Sequence, residues 1–213
     1  MRMISHEVTD VLRSWAKGLA AVRRNSVPIE TTWGLRIDEV RPKTRARCLV
    51  FRDDLDAVRS AAKDATAPHG VIIVVAAEDA VTALLGPAWQ STPPEPIMTT
   101  TLRQIPPSVP AGYDLSTTID AGVINVRVHS EGEVAAAGYT AVVDGVAVVD
   151  RVATDPAHQR RGLGTAVMNA LTVAAMDQGA VTAVLHGTEE GRALYEGLGW
   201  QLRSKITSFT HAA

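Results

Sequence analysis

The chain has one cysteine in 213 residues, Cys48. A lone thiol cannot close an intrachain disulfide, so packing alone must hold the fold, and a buried inert thiol in a reducing compartment is expected. Aromatic residues are scarce, at 4% against 46% hydrophobic residues overall, which leaves alanine and valine to fill the core. No apolar run approaches the roughly 18–20 residues that a membrane-spanning helix needs. The opening residues, Met1-Arg-Met-Ile-Ser-His-Glu7, lack the apolar centre of a signal peptide. Excess charge is missing too: a formal net charge of −2 gives no general reason to expect a nucleic-acid partner. No His, Cys, Asp or Glu cluster has metal-ligand spacing, and no Gly-x-Ser-x-Gly elbow occurs. The expectation is a cytoplasmic protein with no metal, membrane or nucleic-acid partner, and a homodimer is compatible with it.

Gln159-Arg160-Arg161-Gly162-Leu163-Gly164-Thr165 is the most informative stretch. It joins a β-branched run, 146–152, to a helical pattern that begins at Leu163 with Ala166, Val167, Ala170, Leu171 and Ala174 on one face. A strand that enters a helix through a Gly-rich, Arg-bearing turn makes an anion site. The first helical N–H groups have no intrahelical acceptor, and the macrodipole adds about half a positive charge there. Gly162 and Gly164 let a ligand approach the main chain, and Arg160 and Arg161 add full charges. The spacing is neither the Gly-Lys-Ser/Thr phosphate loop nor the dinucleotide Gly-x-Gly-x-x-Gly.

It resembles the Gln/Arg-x-x-Gly-x-Gly/Ala loop of the GCN5-related N-acetyltransferase (GNAT) superfamily. The flanks agree: residues 152–164, Val-Ala-Thr-Asp-Pro-Ala-His-Gln-Arg-Arg-Gly-Leu-Gly, and Ala193-Leu-Tyr-Glu-Gly-Leu-Gly-Trp200, similar to the family's Leu-Tyr-Glu-x-Leu-Gly-Phe segment. The resemblance covers roughly residues 113–211. It implies an α/β (α+β) fold with a mixed, mostly antiparallel sheet and flanking helices, and acetyl-coenzyme A as co-substrate. The implied cofactor-binding residues are Val152, Thr154, Gln159, Arg160, Arg161, Gly162, Leu163, Gly164, Thr165 and Thr188. Thr188 stands where many members have Asn, and also suits the N-cap of a short helix bearing Glu189 and Glu190.

Acetyl transfer to an amine needs a neutral nucleophile, and an amine with pKa near 10.4 is neutral in roughly one molecule in 2,500 at pH 7. A base is therefore useful, and Asp150 is the candidate. Strand alternation places it on one face with Val146, Val148, Val152 and Thr154. Its other reading is a structural pair with an arginine. Tyr195 resembles the family tyrosine that faces the coenzyme A sulfur as proton donor; its other reading is an aromatic packed beside Trp200. His158 and His186 flank the site and read as surface or packed residues.

The order of elements fits the resemblance. Strand candidates at 113–119, 123–129, 134–142 and 146–152 are joined by short turns, Asp144-Gly145 the strongest hairpin signal among them. Strands at 181–185 and 200–210 follow. The family's pair of helices between the first two strands is missing, replaced by the turn around Ala121-Gly122, so the acceptor pocket is open or the first half walls it.

That first half begins with an amphipathic helix over 5–24, capped by Ser5, whose opposite face carries Arg13, Lys17, Arg23 and Arg24 and reads as solvated. Strands at 33–40, 47–52 and 71–75, helices at 53–64 and 78–85, and an exposed basic turn at 41–47 follow. Arg52–Val58 aligns with Arg161–Val167, Gly70 with Gly179, 83–85 with 193–195, and 89–90 with 200–201. These matches read either as a degenerate repeat of the second half or as the common likeness of two Ala-rich strand–helix units. In the repeat reading Asp53, Leu55 and Asp56 replace the loop glycines and threonine, which excludes a pyrophosphate. The division expected is residues 1–105, a helix plus a degenerate GNAT-like half without a cofactor site, and 106–213, the acetyl-coenzyme A-binding domain, with a linker at 101–110. Two functions fit. One is acetyl transfer to a primary amine of a small molecule or protein. The other is a non-catalytic acyl-coenzyme A-binding sensor or scaffold.

Overall fold

The computed structural model describes residues 5–39, 45–51, 54–65, 68–75 and 78–212. Residues 41–44 of the basic turn, together with Arg52 and Asp53, lie outside them.

The first half runs α1 (His6–Val22), β1 (Ile29–Glu30), β2 (Gly34–Glu39), β3 (Arg45–Val50), α2 (Leu55–Asp64), β4 (Val71–Val74), α3 (Glu78–Leu85), β5 (Trp89–Ser91) and β6 (Glu95–Thr101). The second runs β7 (Asp114–Asp120), β8 (Val123–Ser130), β9 (Glu133–Val143), β10 (Val146–Thr154), a 3-10 turn at Pro156–His158, α4 (Leu163–Asp177), β11 (Thr182–His186), α5 (Glu189–Gly197) and β12 (Gln201–His211). Local chemistry sets these boundaries. Ser5, Asp54 and Thr188 place side-chain oxygens on the first free N–H groups of α1, α2 and α5. The Asp144-Gly145 hairpin has positive φ at both positions, as the tight turn requires.

The strands form one mixed sheet in the order β1-β2-β3-β4-β12-β6-β11-β10-β9-β8-β7, with β5 beside β12. Among the described strands only β3–β4 and β10–β11 are parallel, each pair bridged by a helix, α2 or α4. The two halves repeat this connectivity and exchange their last strands. β6, from the first half, lies between β11 and the beginning of β12. The end of β12, Thr207 to His211, lies between β4 and β5. The Pro-rich approach at 91–96 hid β6 from the sequence reading. Its pairing partners are remote, so no local pattern announces it.

Three cores result. α4 covers one face of the second half through Leu163, Val167 and Leu171. α2 covers the corresponding face of the first half through Ala57, Val58 and Ala61, and the apolar strand β4 lies fully buried beside it. α1 packs on the opposite face and joins the halves. Its Leu12, Trp15 and Leu19 contact a cluster holding Leu35 and Ile73 of the first half and Val148 and Val184 of the second. Each such fully buried side chain contributes about 1.5–3 kcal/mol. The helix lies close to β10: a Cβ on Gly18 would stand 2.1 Å from Val148 Cγ2.

The basic face of α1 is not simply solvated, which corrects the sequence reading. Arg13 pairs with Glu30, Lys17 Nζ lies 2.9 Å from Asp144, Arg23 binds Asp150, and Arg24 pairs with Asp120. Three of these four partners belong to the second half, so the charges fasten α1 across the sheet. Cys48 is fully buried, and burial pushes its thiol up to about 12, which leaves it inert. Among the described residues no helix is long and apolar enough to cross a membrane.

Candidate active site

β10 and β11 pair from Val146↔Thr182 to Val149↔Leu185 and then part. The cause lies in β10. Arg151 has φ 53, and pairing with β9 jumps from Asp150↔Tyr139 to Ala153↔Ala137, a bulge with one extra residue on β10. The bulge also breaks the expected alternation. Val148 and Asp150 face α1, whereas Val152 turns to the α4 side, where a Cβ on Gly138 would meet both Val152 and Val167. Thr154 follows Val152, toward Gly164 at the start of α4. Asp150 and Val152, expected on one face, are on opposite faces of a cleft.

The loop on the α4 side is built from caps. Asp155 donates its N–H to Ala135 O and accepts from Ala157 N through its side chain. Gln159 Nε2 reaches Thr154 O at 3.4 Å. Arg160 and Gly162 then adopt left-handed φ of 61 and 80, curling the chain into α4. A Cβ on Gly162 would meet nothing within 4 Å, so the space beside it is open. The first helical bond is Ala166 N→Gly162 O at 3.1 Å, which leaves the N–H groups of Leu163, Gly164 and Thr165 without intrahelical acceptors. Unlike α1, α2 and α5, α4 has no side-chain cap. Its start is an uncapped positive end.

The expected binding residues divide by role. Arg160 is exposed, but Arg161 is held by Tyr113 Oη at 2.8 Å and Ala157 O at 3.2 Å. Tyr113 in turn contacts His158 Nδ1 at 2.9 Å, so His158 is a packed residue that helps anchor the loop. Leu163 is buried in the core, and Gly164 makes room for Leu194 of α5. Thr188 Oγ1 accepts from Gly191 N, the capping role legible in the sequence. Tyr195 is buried, its ring against Gly187 and Gly191 and tilted toward Trp200 at 6.2 Å. Burial raises its phenol pKa, which keeps the hydroxyl protonated at neutral pH.

On the α1 side Asp150 has an arginine partner. Arg23 Nε and Nη2 donate to its Oδ2 and Oδ1 at 2.9 and 3.0 Å, and Arg151 Nε lies at 3.4 Å. His186, the last residue of β11, stands across the cleft edge-on to Trp15. Its Nε2 is 2.9 Å from Glu95 Oε2, at ion-pair distance but without hydrogen-bond alignment. Burial and the nearby Arg47 and Arg23 push its pKa down to about 4, so the ring is neutral at pH 7. Glu39 is buried among Arg45, Arg47 and Arg23; burial alone would raise its carboxyl, but Arg47 and Arg45 outweigh that and hold it below the usual range. Sequence reading missed Glu39 and Glu95 and put Arg45 and Arg47 in an exposed turn, whereas both lie in β3 and Arg47 is buried. The one available signal was a buried-type strand, β3, that nevertheless carries two arginines.

Residues 89–200 match the family model described as the acetyltransferase (GNAT) family, over more than half of the chain. The chain belongs to the GNAT family. A search of curated proteins finds no match. Among solved structures, a GCN5-related N-acetyltransferase from Kribbella flavida superposes with a TM-score of 0.65 at 18% identity, covering 100% of this chain and 97% of that one. A tandem GNAT protein from the clavulanic acid biosynthesis pathway gives 0.56 at 14% identity, covering 99% and 96%. A GCN5-related N-acetyltransferase-like protein from Streptococcus suis gives 0.54 at 13% identity, covering 83% of each chain. At these identities the likeness concerns the fold. It extends over both halves of this GNAT protein, since the Kribbella flavida and tandem GNAT structures each match 99% or more of the chain.

Proposed function

We propose that this GNAT protein transfers an acetyl group from acetyl-coenzyme A to a primary amine of a small molecule or a protein. The observation that carries the reading is the uncapped start of α4 beside the parting of β10 and β11, in a chain of this family. The residues present fit the donor. The free N–H groups of 163–165, the open side of Gly162 and the exposed Arg160 suit a pyrophosphate. The main chain of Val152 and Thr154, beyond the bulge, suits the pantetheine arm. Bound there, acetyl-coenzyme A supplies an activated thioester carbonyl and a sulfur leaving group.

The chain's own groups supply the proton handling. Tyr195 Oη is held protonated by burial and can give its proton to the departing sulfur. Asp150 faces the acceptor side. Arg23 occupies one direction on each carboxylate oxygen and Arg151 approaches Oδ2, so a second lone pair on Oδ1 remains to take the amine proton through water. The amine nitrogen bonds to the carbonyl carbon as the carbon–sulfur bond breaks, and one proton leaves the amine while another reaches the sulfur.

The first half offers no equivalent donor site in this reading. The start of α2 is closed by Asp54, whose Oδ1 accepts from Ala57 N at 2.6 Å, and Asp56 adds a further negative charge in its first turn. The arginine clamp on Asp150 favours a second reading, a non-catalytic acyl-coenzyme A-binding module. A thiol-release assay over a panel of amines, with calorimetry of coenzyme A, separates the two. Turnover with one coenzyme A per chain is expected. Binding without turnover on every amine would leave the module, and two coenzyme A molecules per chain would overturn the assignment of the first half.

A further inference from the structure

A cavity of about 850 Å³ opens on the α1 side of the cleft. Its wall carries the guanidinium groups of Arg23, Arg24, Arg45 and Arg151 against one carboxylate, Glu39, with Tyr139 beside them. The carboxylates behind the wall do not restore balance. Asp150 accepts from Arg23 and lies 3.4 Å from Arg151, and Asp120 pairs with Arg24, while Glu39 is shared by Arg45, Arg23 and the buried Arg47. Among these described residues five guanidinium groups meet three carboxylates, a surplus of two positive charges. Like charges gathered around one cavity raise its positive potential, which favours an anion there.

Arg151 is aimed rather than loose. It occupies the bulge with φ 53, a conformation strained for a long side chain, and its guanidinium lies 4.3 Å from the centre of the Tyr139 ring. Tyr139 pairs across the sheet with Asp150, so this stacked arginine sits beside the residue that closes the acceptor side of the cleft. Arg45 reaches the same cavity from the first half, where Glu39 holds it. Planar guanidinium groups fixed by stacking and by a carboxylate bind carboxylate or phosphate in forked geometry.

We infer that this cavity binds the anionic group, a carboxylate or a phosphate, of an acceptor that carries its amine on the same small molecule, with Arg151 and Arg45 as its specificity-determining residues. The inference rests on the acetyl-transfer reading for the word acceptor, and on the cavity alone for the anion. The first half thus contributes directly to substrate choice, through the strand that carries Arg45.

The test uses the full chain. Amines bearing a carboxylate, amines bearing a phosphate and their uncharged isosteres are compared by thiol release in the native protein and in Arg151→Gln. In parallel, glutarate and inorganic phosphate are titrated calorimetrically without the donor. One charged series is expected to be preferred over its isosteres at least tenfold, and which one tells carboxylate from phosphate. Arg151→Gln should erase that preference through KM and weaken the matching anion at least tenfold, while coenzyme A binds as before. Arg45→Gln should do the same if it remains folded; Arg151 is half exposed, so its variant carries the test in either case. Equal turnover of charged and uncharged amines, or unchanged anion affinity in Arg151→Gln, overturns the inference and leaves acetyl transfer standing. Anion binding lost in Arg151→Gln, with no amine ever acetylated, leaves the cavity standing and overturns the transfer reading instead.

Discussion

Arg23 donates to both carboxylate oxygens of Asp150 and so ties the end of α1 to the edge of the cleft, 127 residues along the chain. Replacing the arginine alone, Arg23→Met, takes both hydrogen bonds from a largely buried carboxylate and leaves Arg151 as its ion-pair partner. A loss of about 2 kcal/mol is expected, less than for a fully buried pair because Arg23 is partly exposed. Urea unfolding reads it. The double variant Arg23→Met/Asp150→Leu should recover most of the loss, because both charges then leave together. Failure to recover would mean that α1 is held there by more than this pair.

Gly162→Asp is expected to weaken coenzyme A binding at least tenfold, about 1.4 kcal/mol, because a carboxylate would stand at the uncapped start of α4. The side chain has room, and the left-handed backbone costs about 1–2 kcal/mol in stability. Calorimetry on the folded variant checks the first effect and thermal unfolding the second. Unchanged affinity would place the pyrophosphate elsewhere.

Tyr195→Phe keeps the ring against Gly187, Gly191 and Trp200 and removes only the hydroxyl. Turnover is expected to fall about a hundredfold, within the usual range for a lost general acid, with acetyl-coenzyme A affinity nearly unchanged. An equal kcat in both proteins would reduce this tyrosine to packing.

His186 gives stability a pH dependence. Its pKa of about 4 in the folded chain lies below the ordinary 6.5, so between these values the unfolded chain binds the extra proton. The stabilisation from holding a neutral ring is complete above about pH 6.5 and is lost as pH falls through 4, on the order of 3 kcal/mol in full. His186→Phe retains a ring beside Trp15 and should flatten this part of the profile. Parallel unfolding curves of the two proteins between pH 7 and 4 would show that the imidazole is not held neutral.

The exchanged strands bear on dissection. A fragment of residues 106–213 holds every residue assigned to the donor yet lacks β6, the neighbour of both β11 and β12. It should be insoluble or inactive alone and recover on co-expression with residues 1–105, which return that strand. Full activity of the fragment by itself would show that another segment fills the gap.

How far the sequence alone reached can be judged from particular residues. The caps at Ser5 and Thr188, the Asp144-Gly145 turn and the Gly162 loop are local chemistry, and each lies where its pattern predicts. Most strand and helix limits fall within two residues of the periodicity. Three of the features that were not legible depend on partners outside their own element. The bulge at Arg151 reverses the face of Val152 and depends on pairing with β9. The partner of Asp150 comes from α1, and β6 pairs with strands more than 80 residues away. Partners on another element leave no trace in a strand's own periodicity. The Asp150–arginine pair was foreseeable in kind, but not the arginine.

The exchange also has a consequence during synthesis. The first half is made early, but the strand that fills the space between β4 and β5 is Thr207 to His211, made only after every other element of the second half. At about 5–20 residues per second the ribosome needs on the order of ten seconds to cover that distance. Through that interval the nascent first half holds β4, one of its most apolar strands, with an unpaired edge. A holding chaperone that covers this edge until β12 is made is expected to raise the yield of folded protein, which co-expression with and without it would read.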